Sequence, residues 1–133
     1  MSDTILVPVA PGEMLDKITI LEIKSERIED TSKLANINKE LNILKKTWAD
    51  SSASQTDITA LMAELKSINE ELWVIEDRIR IKESEAAFDD EFIELARSVY
   101  VVNDKRANVK RQLNQALGSN LIEEKSYADY QQK

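Results

Sequence analysis

A guanidinium stands where a helix should be dry. In V-Y-V-V-N-D-K-R-A-N-V-K-R-Q-L, residues 99–113, Val99, Val102, Val109 and Leu113 recur at the spacing of one helix face, and Arg106 falls on that face. On a wheel of about 100° per residue with Val102 at zero, Leu95 and Leu113 lie near 20°, Arg106 near 40° and Val99 near 60°. Asn103 and Lys110 sit at the edge of the stripe. An arginine cannot shed its proton to escape burial, so a dry guanidinium needs a fixed anionic partner. Two other helical stretches offer one. Glu22 falls between Ile18 and Leu15, and Glu76 flanks an apolar seam beside Asn69, Trp73 and Arg80. The expected constellation is therefore Glu22 and Glu76 meeting Arg106. Arg80, Asn103 and Lys110 complete a candidate ligand-binding set. Such a cluster either fixes register as a structural ion pair or lines a polar pocket in a bundle core.

Other groups add less. Glu22 and Glu26 are spaced for paired metal ligands, and Trp73 and Tyr100 could stack on a base. Lys105, Arg106, Lys110 and Arg111 form a basic patch able to meet a phosphate. The chain contains no Cys and no His, which removes thiol nucleophiles, imidazole bases and the usual zinc sites. No catalytic residue is assigned. Chemistry, if there is any, falls to carboxylates, Lys, Arg and hydroxyls, and Mg²⁺ is the metal such a set would suit.

The elements that must position these residues are helical. The chain has 133 residues, enough for one domain with a core, and only two glycines and two prolines. Both prolines fall in the first eleven residues. An opening arm, T-I-L-V-P-V-A-P-G-E, is expected to lie extended against the bundle until Pro11-Gly12 starts a helix running from about 13 to 29. D-T-S at 30–32 supplies a turn and cap. A second helix reaches about Trp48, and A-D-S-S-A-S-Q-T-D (49–57) is the expected loop, with disorder anticipated there. Ile58, Leu61, Leu65, Ile68, Leu72, Ile75 and Ile79 then alternate three and four apart, a coiled-coil-like seam predicting a long helix over about 57–84. Asp89 is expected to cap a second long helix over about 90–117, with Phe88 and Ile93 as its hydrophobic staple and Gly118 as its stop. The tail is expected to form a short helix or to fold back. The fold class is all-α: one antiparallel bundle over residues 1–133, with two long helices, two shorter ones and an extended N-terminal arm. The overhang of the long pair leaves seam without an internal partner, so a homodimer or other homo-oligomer is expected.

Four blocks resemble an uncharacterised bacterial family, a domain of unknown function. They are P-G-E-M-L-D-K-I-T-I-L-E-I-K, E-L-W-V-I-E-D-R-I-R, L-A-R-S-V-Y-V-V-N-D-K-R-A and S-N-L-I-E-E-K-S-Y-A-D-Y. Together they span most of the chain outside the Ser-rich loop. The resemblance implies a full-length single-domain protein and no particular activity. The blocks contain Glu13, Asp16, Lys17, Glu22, Glu76, Arg80, Asn103, Asp104 and Arg106.

Composition bounds the function. A net charge of −7 opposes a role in coating nucleic acid. No apolar run approaches the ~20 residues of a membrane span, and the start has no basic leader, so a cytoplasmic protein is expected. The leading expectation is a non-enzymatic helical interaction or regulatory protein with a polar pocket, no cofactor, and a protein or small anionic ligand as partner. The alternative is an Mg²⁺-dependent hydrolase of a nucleotide or other phosphorylated small molecule. Its acidic pairs depart from the E-x-x-E and E-x-x-D spacing of all-α pyrophosphohydrolases, and enzyme status stays open.

Overall fold

A computed structural model describes residues 3–131. Four helices form in chain order: α1 (Pro11–Arg27), α2 (Thr31–Asp50), α3 (Thr59–Ser84) and α4 (Asp90–Ala116), and no strand occurs among the described residues. The two long helices fall within two residues of their expected bounds. All seven residues of the α3 seam lie in the core or pack against it, as do Leu95, Val102, Val109 and Leu113 of α4. That shared apolar face zips α3 and α4 into an antiparallel hairpin.

The helix ends follow from local polar chemistry. Asp30 accepts the backbone N–H groups of Ser32 and Lys33, both at 3.0 Å, and so caps α2. Asp89 accepts from Phe92 N–H at 3.0 Å and caps α4. Gly118, at φ +66°, supplies the left-handed residue that stops α4, and Ser119 N–H returns to the Asn114 carbonyl. α1 begins at Pro11 with no side-chain cap of its own. Asn114 of α4 substitutes, its Oδ1 accepting from Gly12 N–H at 2.7 Å. That bond needs the two backbones close. A Cβ on Gly12 would stand 2.7 Å from the Lys110 carbonyl oxygen.

α1 is the central helix. It packs against α2, α3 and α4, whereas α2 keeps to α1 and the following turn rather than lying along the hairpin. Three local expectations are corrected. Residues 49–57 are not a disordered loop: Ser51 accepts from Ala53 N–H and opens a 3-10 turn at Ser52–Gln55, and Ser54 Oγ donates to the Ser51 carbonyl. The Phe88–Ile93 staple does not form. Both side chains are exposed, and Phe88 instead meets Phe92 edge-on at 5.2 Å. The N-terminal arm is extended but does not lie against the bundle; Ile5 is 86% and Leu6 94% exposed. The tail forms no helix and folds back along α4, where Tyr130 meets Tyr100 edge-on and donates to Asp104 at 2.5 Å.

At the hairpin turn, Lys82 lies between Asp89 (2.9 Å) and Glu91 (3.2 Å), and Arg78 also reaches Glu91. The Lys82 ammonium, foremost, holds both carboxyls below their ordinary range, and the two carboxylates raise Lys82. Lowered carboxyl values mean stabilisation that is present above about pH 4 and fades as pH falls through the folded-state values. The raised Lys82 value means its share persists until pH climbs past about 10.4. In a carboxyl NMR titration Asp89 should titrate below an ordinary aspartate, and Lys82→Ala should move it back up. An unchanged midpoint in that variant would remove the clip.

The two glycines should respond differently to alanine. Gly118→Ala meets open space but must hold a Cβ at φ +66°, a left-handed strain costing about 1 kcal/mol. Gly12→Ala must push backbone away and should cost more, about 2–3 kcal/mol in urea melts.

Candidate functional site

Arg106 does have its anionic partner, and it is Asp16. The carboxylate Oδ1 accepts from Arg106 Nε at 2.9 Å and Oδ2 from Arg106 Nη2, a two-point clasp. Asp16 is only 2% exposed. Its carboxylate pushes the Arg106 guanidinium above its ordinary range, against the opposing effect of burial. Two neighbours complete the arrangement. Asn69 Nδ2 donates to Asp16 Oδ1 at 2.9 Å and to Thr19 Oγ1 at 2.8 Å. The Thr19 hydroxyl in turn donates to the Asp16 carbonyl at 2.7 Å. No buried side-chain polar atom among the described residues is left without a partner.

The expected partners are therefore corrected. Glu22 faces the α2 side, 3.8 Å from Lys45, and Glu76 holds Arg80 one turn on at 3.3 Å. Neither reaches Arg106. The cause lies in how α1 is packed. Leu15, Ile18 and Glu22 mark one stripe, but Gly12, Asp16, Thr19 and Ile23, four, three and four apart, mark another. Because α1 is central, both stripes are buried, and the small, polar one faces the hairpin. Asp16, Thr19 and Asn69 are thus site residues that hydrophobicity alone does not flag. The spacing of Gly12, Asp16 and Thr19 is the signal that could have found them.

Two hollows flank Arg106. One, of about 420 Å³, lies between α1, α3 and α4. It brings together four of the six expected site residues: Glu76, Arg80, Asn103 and Arg106. Arg106 Nη1 donates to Asn103 Oδ1 at a long 3.5 Å. The other, of about 760 Å³, lies between α4 and the returning tail, and Lys110 lines it with Lys125 and Tyr127. Lys110 Nζ reaches Glu13 at 2.8 Å and Glu123 at 3.5 Å, tying α1 and the tail to α4. Glu22 lines neither. The acidic pairs that Mg²⁺ chemistry would need are dispersed, with Glu22 on Lys45, Glu26 on Lys66 and Glu76 on Arg80. Among the described residues no three carboxylates gather as a cation site.

Residues 5–131 match the model of a family of unknown function, DUF6165. The chain belongs to this family. No curated protein and no solved structure matches it. The DUF6165 match spans all four helices, the arm from residue 5 onward and nearly all of the tail, so the Asp16–Arg106 clasp and both hollows lie within it. No helix among the described residues is long and apolar enough to cross a membrane.

Arg106→Met should strand the Asp16 carboxylate and cost about 3–5 kcal/mol of stability. Adding Asp16→Leu should recover most of that loss, while Glu22→Gln and Glu76→Gln should each stay within about 0.5 kcal/mol. Urea melts of the four variants check the assignment. Equal losses for Glu22→Gln and Arg106→Met would return the pairing to Glu22.

Proposed function

We propose that this protein is a non-enzymatic helical interaction module that works as a dimer of this chain, with the polar groove beside Arg106 as its ligand site. The observation that carries the association is the arm. Residues 5–9, I-L-V-P-V, are continuously apolar and project into water. An unbroken apolar run, unlike an alternating one, asks for cover on both faces.

Geometry favours a second copy as that cover. At about 1.5 Å per residue α1 is roughly 25 Å long and α4 roughly 40 Å. About 15 Å of hairpin towards the turn therefore extends past α1, and it exposes Val74, Ile81, Phe88, Ile93 and Val101. The arm leaves from the opposite end, since Gly12 sits beside Asn114. Its eight described residues reach about 26 Å when extended, only to where the uncovered part begins. In an antiparallel pair the arm of each copy stands beside the bare hairpin end of the other. At roughly 100 Å² per apolar side chain, two arms of five such residues and the surfaces they cover amount to about 2,000 Å² when fully buried, the upper end of a standard interface. The hydrolase alternative gains no comparable support.

At micromolar concentration the full chain should sediment at twice its 15.2 kDa mass. Leu6→Asp should return it to the monomer with its helicity intact. A monomeric wild type, or a Leu6→Asp dimer, would end this reading.

A further inference from the structure

We propose that the groove between α1, α3 and α4 binds a small, net-neutral zwitterion of the amino-acid class, with an apolar or aromatic side chain. This rests on the reading of the groove as a ligand site and names its occupant. The first observation is an amide whose orientation is forced. The Thr19 hydroxyl proton is committed to the Asp16 carbonyl, so Thr19 Oγ1 is an acceptor. The ionised Asp16 carboxylate is acceptor-only. Asn69 must therefore turn its NH₂ group inward to both, as it does. Its Oδ1 faces the groove and receives no donor among the described residues, although the residue is only 5% exposed. The atom is reached by solvent, since no buried polar atom lacks a partner, and held in this orientation it is a ready acceptor for an N–H of whatever fills the groove.

The second observation is the charge balance. Arg106 is neutralised by Asp16 and Arg80 is paired with Glu76. The two remaining charges on the groove, Lys24 and Asp77, have no ion-pair partner among the described residues, and they are opposite in sign. Asn103 engages Arg106 through Oδ1, which leaves its NH₂ group free as a further donor. Carboxylate acceptors thus meet Lys24, Asn103 and the outer edge of Arg106, and an ammonium meets Asn69 Oδ1 and Asp77. Between them lies apolar wall, Ile20, Ile23, Leu72 and the Trp73 ring, suited to the ligand's side chain. A volume of about 420 Å³ falls at the small end of ligand pockets. A phosphorylated ligand fits the charges less well, because Lys24, Arg80 and Arg106 are offset in number by Asp77, Glu76 and Asp16, and the groove carries no net positive charge.

The test is titration of the full chain with a panel of free amino acids, followed by NMR shifts of the Asn69 side-chain amide and the Trp73 indole. Leucine, phenylalanine or a relative should give saturable shifts, with a dissociation constant of about 0.1–1 mM. The corresponding amine without its carboxylate, and the N-acetylated acid, should each bind at least tenfold more weakly. Lys24→Met and Asp77→Asn lie on the groove wall rather than in the core and should each weaken binding about tenfold with the fold retained. Absence of saturation at about 10 mM, shifts that both variants leave unchanged, or tighter binding of AMP or inorganic phosphate would overturn the proposal. A chain that still sediments as a dimer but binds no amino acid sinks this inference and leaves the association standing.

Discussion

Everything in this bundle is arranged around a carboxylate that must not be left alone. Asp16 sits almost fully buried on the central helix, where an unpaired charge costs several kcal/mol. Its two oxygens accept from Arg106 twice and from Asn69 once, so three helices have to arrive in one register to satisfy it. An apolar replacement of the pair could match its stability, because desolvation consumes much of the Coulombic gain. What the pair contributes is uniqueness: a one-turn slip of α1 would leave the buried Asp16 carboxylate and the half-buried Arg106 without partners.

The same constraint explains how α1 differs from its neighbours. A helix packed on all sides cannot be apolar on one stripe and solvated on the other. It divides its surface instead into an aliphatic face and a face of small and polar residues matched to specific partners. Gly12 allows backbone contact with α4, Asn114 supplies the cap α1 lacks, and Thr19 orients Asn69. α2 is solvated over most of its surface, with Leu41 its one buried residue, and is held to α1 also by surface pairs such as Lys17–Glu40.

How much of this the sequence carries depends on the kind of signal. The α3 seam is legible because seven aliphatic residues repeat at one period, and Asp30, Asp89 and Gly118 are legible because caps and stops are local chemistry. Arg106 as a half-buried cation is legible too, since it interrupts a clear stripe. Its partner is not. Asp16 lies on a face without hydrophobic contrast, and only knowledge that α1 is central marks that face as interior. The Ser-rich segment fails for a different reason: serine favours both loops and tight capped turns, and composition cannot separate them. Phe88 fails because its ring finds Phe92 one turn along instead of Ile93.

The distance along the chain between Asp16 and Arg106 has a consequence for how the molecule assembles. Each hairpin, α1–α2 and α3–α4, closes through contacts near in sequence, and such loops close early. The clasp joins residues 90 apart, and the Gly12–Asn114 and Glu13–Lys110 contacts span 102 and 97. These contacts close long loops at a high cost in chain entropy, so they are expected on the late side of the folding barrier. Weakening them acts mainly on the unfolding rate and leaves the folding rate nearly unchanged. The buried pair is, in kinetic terms, a latch on the finished molecule.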